Sequence, residues 1–124
     1  MFDNKENAVA FSMPGGEASV PARGRPIDLV HLARQTMGDR ALEQEVLGLF
    51  VHQTQQVRER IAHAEPEECR QLAHGLRGAA SGVGAFAIAE CAAAIEAEPN
   101  DPQAKRKLTK LIDEARDFVA AICR

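Results

Sequence analysis

The chain has 124 residues, 45% of them hydrophobic, which suits a single domain that can bury a core without disulfides or a structural metal. Its net charge of −3, with acids and bases interleaved, offers no basic stripe for a nucleic acid, so DNA and RNA are not expected partners. Aromatic residues make up only 4%, all Phe, and Ala, Leu, Glu, Gln and Arg dominate the middle and end, a mixture that favours helix over sheet. Residues 1–25, with Pro14-Gly15-Gly16, Pro21 and Gly24, keep no sustained period and are expected to form a flexible tail ahead of a helical domain over 26–124. Pro26-Ile27-Asp28 opens a short helix with Leu29, Leu32, Ala33 and Met37 inward and Gly38 as its C-terminal cap.

Asp39 is the expected N-cap of a long second helix running to about His63, with Leu42, Val46, Leu49, Phe50, Val57 and Ile61 inward; Gln53 interrupts this stripe. Glu65-Pro66-Glu67-Glu68 starts a third helix, with proline in its first turn and negative charge at the positive end of its dipole. Its stripe is Cys69, Leu72, Leu76, Ala79 and Val83, and it ends near Gly82 to Gly84. A fourth helix, about 85–97, turns Ile88, Cys91, Ala92 and Ile95 to one side and is rich in alanines that let neighbours approach. Asp101-Pro102 then caps a fifth, striped by Ala104, Leu108, Leu111, Ile112, Ala115, Phe118, Val119 and Ile122. Short loops between long amphipathic helices predict an all-α fold: an antiparallel up-and-down four-helix bundle with a short additional N-terminal helix.

Three cysteines, Cys69, Cys91 and Cys123, form no CxxC pair, and two of them sit in apolar stripes, as expected of a reducing compartment. No run approaches the roughly 20 apolar residues of a membrane span, and no signal peptide is evident, so the expected location is cytoplasmic. His52 and His63 share a helical face but lie about 16 Å apart along it, too far to ligate one metal. No HxxxH or HxxE pattern is present, so no metal site and no bound cofactor are expected, and His31, His52 and His63 receive no role. Gly82-Val83-Gly84-Ala85-Phe86-Ala87 fits GxGxxA, but a helix precedes it where a dinucleotide loop needs a strand, and a break between helices is the expected reading. A phosphate-binding GxxxxGK[ST] is absent, and Ser81 is too far along the helix from His74 to share a proton.

His74 stands on the polar face of the third helix, almost diametrically across from Leu72, Leu76 and Val83, with Arg70, Gln71, Arg77, Gly78 and Ser81 on its own side. A neutral imidazole keeps a nitrogen lone pair that can take a phosphoryl group covalently. The loaded group carries about two negative charges, which Arg77, one turn on, is placed to offset. Gly75 and Gly78 each cost the helix about 1 kcal/mol relative to alanine. A missing side chain at Gly78 would let another protein's active site come close to His74.

His74-Gly75-Leu76-Arg77-Gly78-Ala79-Ala80-Ser81-Gly82-Val83-Gly84-Ala85 resembles the motif of histidine-containing phosphotransfer (HPt) domains, in which the phosphorylated histidine precedes x-Leu-Lys/Arg-Gly, small residues and Gly-Ala. Leu47-Gly48-Leu49-Phe50, with Gln53 and Val57, resembles the family's second helix, and Ala89-Glu90-Cys91 through Ile95-Glu96 its following one, so the likeness spans about residues 27–122. Arg77 stands where Lys is commoner, keeping the charge with a different donor geometry, and Gly75 stands where Thr or Ser is frequent. The resemblance implies a phosphoryl carrier without its own ATP site, serving a multistep two-component phosphorelay. His74 would exchange the group with aspartates of response-regulator receiver domains, Arg77 would steady its charge, and Arg70, Gln71, Gly78 and Ser81 would border the contact. The receiver would contribute the acceptor aspartate and Mg²⁺, a hybrid histidine kinase would stand upstream, and the carrier would be a monomer that docks weakly. Two other readings remain: a non-phosphorylated bundle that binds a receiver or kinase, which would acquire no label from a phosphorylated receiver, and a self-sufficient kinase or phosphatase, which would consume ATP alone.

Overall fold

A computed structural model describes residues 24–123 as five helices, and no strand occurs among them. The expected tail lies outside the described residues, apart from Gly24 and Arg25 at its end. The helices are α1 (Leu29–Gln35), α2 (Arg40–Ile61), α3 (Pro66–Val83), α4 (Phe86–Ala97) and α5 (Pro102–Ile122). Packing follows a closed cycle, α2 on α3, α3 on α4, α4 on α5 and α5 back on α2, with α1 laid against α3. This is the antiparallel up-and-down four-helix bundle with one short extra N-terminal helix that the patterning predicts.

The helix ends form where the chemistry of the chain directs. Asp28, Asp39 and Asp101 hold extended backbone and accept from the first free backbone N–H groups of α1, α2 and α5. Pro66 and Pro102 occupy first-turn positions where no N–H is needed. Helix α1 closes in a Schellman turn: Gly38 N–H donates to Ala33 C=O at 2.9 Å and Met37 N–H to Arg34 C=O at 3.4 Å. Met37 takes the left-handed position at φ +53°, which turns its side chain outward to 92% exposure and corrects its expected burial. Gly38 follows at φ +79°, and Thr36 is the residue that packs inward there, its hydroxyl 3.0 Å from Leu32 C=O and 3.1 Å from a Glu43 carboxylate oxygen.

Helix α2 departs from its expected register. The buried positions are Leu47, Phe50, Thr54, Val57 and Ile61, an unbroken alternation of three and four residues, while Leu42 is 41% and Leu49 65% exposed. Gln53 is exposed and Thr54 beside it fills the gap, its hydroxyl satisfied by Val51 C=O of its own helix at 2.9 Å. In α3 the deepest residues are Cys69, Ala73, Leu76, Ala80 and Val83, with Leu72 and Ala79 half-buried at the margin of the stripe. In α4 and α5 the expected residues line the core, except that Ile122 reaches the surface.

The α3–α4 corner is fixed by Gly84. It caps α3 at φ +89°, and a side chain there would come within 2.8 Å of Asp28 C=O, so both backbone angle and space demand glycine. Asp28 N–H donates to Gly84 C=O at 2.9 Å, which seats α1 on this corner. The GxGxxA pattern is therefore a helix break, with Gly82 inside α3 and Gly84 as its cap. Alanines Ala73, Ala80, Ala89 and Ala92 are all buried in α3 and α4, so the two backbones approach closely, and their pairing is the most extensive in the bundle.

Candidate functional site

Helix α3 carries the site because its two faces differ so sharply. Ala73 and Leu76, the neighbours of His74 on the inner side, are essentially inaccessible, which pins the backbone and directs the imidazole away from the core. The His74 side chain is 64% exposed. Its Nδ1 lies 2.8 Å from Oε2 of Glu96, in the last turn of α4, whose own side chain is 24% exposed and anchored by fully buried Ile95.

A carboxylate can only accept, so this contact requires the hydrogen on Nδ1. In the neutral ring Nε2 then keeps its lone pair. The second oxygen of Glu96, Oε1, is buried and makes no hydrogen bond; Nη1 of Arg77 stands 3.3 Å from it as an ion-pair contact without hydrogen-bond alignment. Arg77 is about half exposed, so its guanidinium is loosely tethered beside the ring.

The other residues singled out by the helical wheel occupy the same exposed face. Arg70 pairs with Glu67 at 3.2 Å and Gln71 lies 3.5 Å from the same carboxylate, one turn before His74. Gly78 and Ser81 are exposed one and two turns beyond it. A Cβ added at Gly75, Gly78 or Gly82 would meet nothing within 4 Å, so packing inside the bundle requires none of these three glycines. His52 and His63 are exposed on and just after α2, while His31 sets its ring edge-on to Phe86 with centroids 5.1 Å apart. Cys69 and Cys91 are buried, and burial pushes the Cys91 thiol up from its ordinary value of 9.0, with Lys107 opposing and Asp101 adding to the rise.

Glu96 is the site residue to which sequence reasoning gives no role. Its pairing with His74 depends on the register between two helices, which no local pattern reports. The available signal is compositional: Glu90 and Glu96 are the only charged residues in α4, and Glu96 directly follows an inward isoleucine.

A family model described as the Hpt domain matches residues 45–118, more than half of the chain. The chain belongs to the Hpt domain family. The matched span runs from within α2 to within α5 and includes His74, Arg77, Gly78 and Glu96, while α1 lies outside it. Hpt domains are phosphocarrier modules that serve histidine phosphotransfer in phosphorelays and interact with receiver domains. No curated protein and no solved structure matches the chain. Among the described residues of this Hpt domain no helix is long and apolar enough to cross a membrane.

Proposed function

We propose that this Hpt domain is the intermediate of a multistep phosphorelay, in which Nε2 of His74 accepts a phosphoryl group from a receiver aspartyl phosphate and passes it to the aspartate of another receiver. The observation that carries this reading is the 2.8 Å contact between Nδ1 and Glu96 on a side chain that is 64% exposed, because it engages Nδ1 and leaves the Nε2 lone pair free as the nucleophile. Arg77 steadies the charge of the loaded group, and open space over Gly78 admits the receiver's active site. Arg70, Gln71 and Ser81 border the docked partner.

The receiver contributes the aspartate and a Mg²⁺ that offsets phosphoryl charge during in-line transfer. Glu96, the carboxylate at this chain's own site, accepts from Nδ1 through Oε2 and meets Arg77 through Oε1 as an ion-pair contact without a hydrogen bond. The domain works as a cytoplasmic monomer without an ATP site of its own, loaded through a hybrid histidine kinase. Its docking is weak and brief, since a shuttle must release both partners.

The test is incubation with a phosphorylated receiver, comparing the native chain with His74→Gln. Label on the native chain and none on the variant is expected. Label retained by the variant would reassign the site, and binding of the receiver without any labelling would leave an interaction module instead.

A further inference from the structure

The loaded state poses a question of charge that the bare site answers in its geometry. When the Nε2 lone pair forms the N–P bond, the O–P bond of the aspartyl phosphate breaks and its electron pair leaves with the receiver's carboxylate. The proton already on Nδ1 has no part in that exchange. If it stays, the ring is an imidazolium, the form in which the imidazole leaves most readily on the return step; if it departs, the ring is neutral and a poor leaving group.

Glu96 bears directly on that choice. Its Oε2 accepts from Nδ1 at 2.8 Å, while its Oε1 is buried and has no hydrogen bond of its own. Such a carboxylate gains most from a full positive charge on the ring, because Arg77, its other partner, is half exposed and makes no aligned hydrogen bond to it. The charged groups in contact at this point are Arg77 from α3 and Glu96 from α4. Arg70 is tied to Glu67, and among the described residues α2 and α5 send no ion-pairing group to the ring or to Glu96. Resting on the phosphotransfer reading above, we infer that Glu96 is a positioning residue that retains the Nδ1 proton on phosphorylated His74, so that the phosphoryl group is carried in its cationic, readily transferred form and no proton leaves or enters during a round of transfer.

A negative charge beside Nδ1–H favours the charged ring and moves the pH at which transferability is lost upward; Arg77 acts in the opposite sense. Glu96→Gln is isosteric and keeps an amide oxygen able to accept from Nδ1, so the fold and the nitrogen that is phosphorylated are retained while the charge is removed.

The full chain is loaded from a phosphorylated receiver, separated from it, and the loss of phosphohistidine is followed against pH, with circular dichroism as the check on folding. For Glu96→Gln the midpoint of the pH profile moves to acid by about one unit, and at pH values above it the phosphohistidine lasts about tenfold longer and is passed on about tenfold more slowly. Arg77→Gln shifts the midpoint to the alkaline side and shortens the lifetime. Coincident profiles for native and Glu96→Gln chains, with His74 labelled in both, would overturn this role while leaving the phosphotransfer reading intact. Absence of label on native His74 would remove that reading itself.

Discussion

Gly78 allows fold and function to be separated by the sign of a single experiment. A helix-interior glycine costs about 1 kcal/mol relative to alanine, and a Cβ at this position meets nothing within 4 Å. Gly78→Ala is therefore expected to stabilise the domain by about 1 kcal/mol, raising its thermal midpoint by about 4–8 °C for a domain of this size. Gly78→Gln keeps most of that gain and projects a longer side chain from the face of α3 that carries His74. A displacement of about 1 Å at a reacting centre costs about a hundredfold in rate, and an intruding side chain beside the imidazole is expected to impose at least such a displacement on a docked receiver. Thermal melts monitored by circular dichroism, together with the rate of label transfer from a phosphorylated receiver, read both quantities. Higher stability with transfer about a hundredfold slower is the expected pair. A lower midpoint would show that the glycine serves the fold, and undiminished transfer by Gly78→Gln would refute its role as clearance for a partner.

Gly84→Ala is expected to act in the opposite way, losing about 2–3 kcal/mol in denaturant titration, because φ +89° strains a side chain and its Cβ would press on Asp28 C=O. Leu76→Ala removes a buried side chain directly beneath the site and should cost about 2–5 kcal/mol in the same measurement. Since burial raises the Cys91 thiol above its ordinary 9.0, the stability linked to it is complete below that value and is lost as pH climbs through the raised one. Unfolding free energies measured from pH 8 to 10.5 should therefore fall more steeply for the native chain than for Cys91→Ala, and parallel curves would contradict the assignment.

The helices are legible wherever local chemistry decides them: aspartates ahead of α1, α2 and α5, prolines in the first turns of α3 and α5, and a glycine at the end of α3; at the end of α1 the cap is Thr36 with Met37 left-handed, and Gly38, the expected cap, follows them. Register along α2 is not legible, because its central buried position is Thr54, polar by type but internally satisfied, so counting apolar residues shifts the stripe toward Leu42 and Leu49. Met37 failed as a core residue for a conformational reason: the Schellman turn sets it left-handed and outward. The face holding His74, Arg77 and Gly78 could be read directly, since one helix carries all three. Glu96 could not, because it reaches His74 only through the pairing of α3 with α4, which depends on buried alanines and on the Gly84 corner, and no spacing within either helix encodes that meeting.

The most direct trial of the account is to locate the phosphoryl group on the loaded chain by phosphorus NMR combined with peptide mapping. A single phosphoramidate on Nε2 of His74, absent from His74→Gln, is the predicted result. Phosphate on Nδ1, on another residue, or on no residue after exposure to a phosphorylated receiver would contradict it.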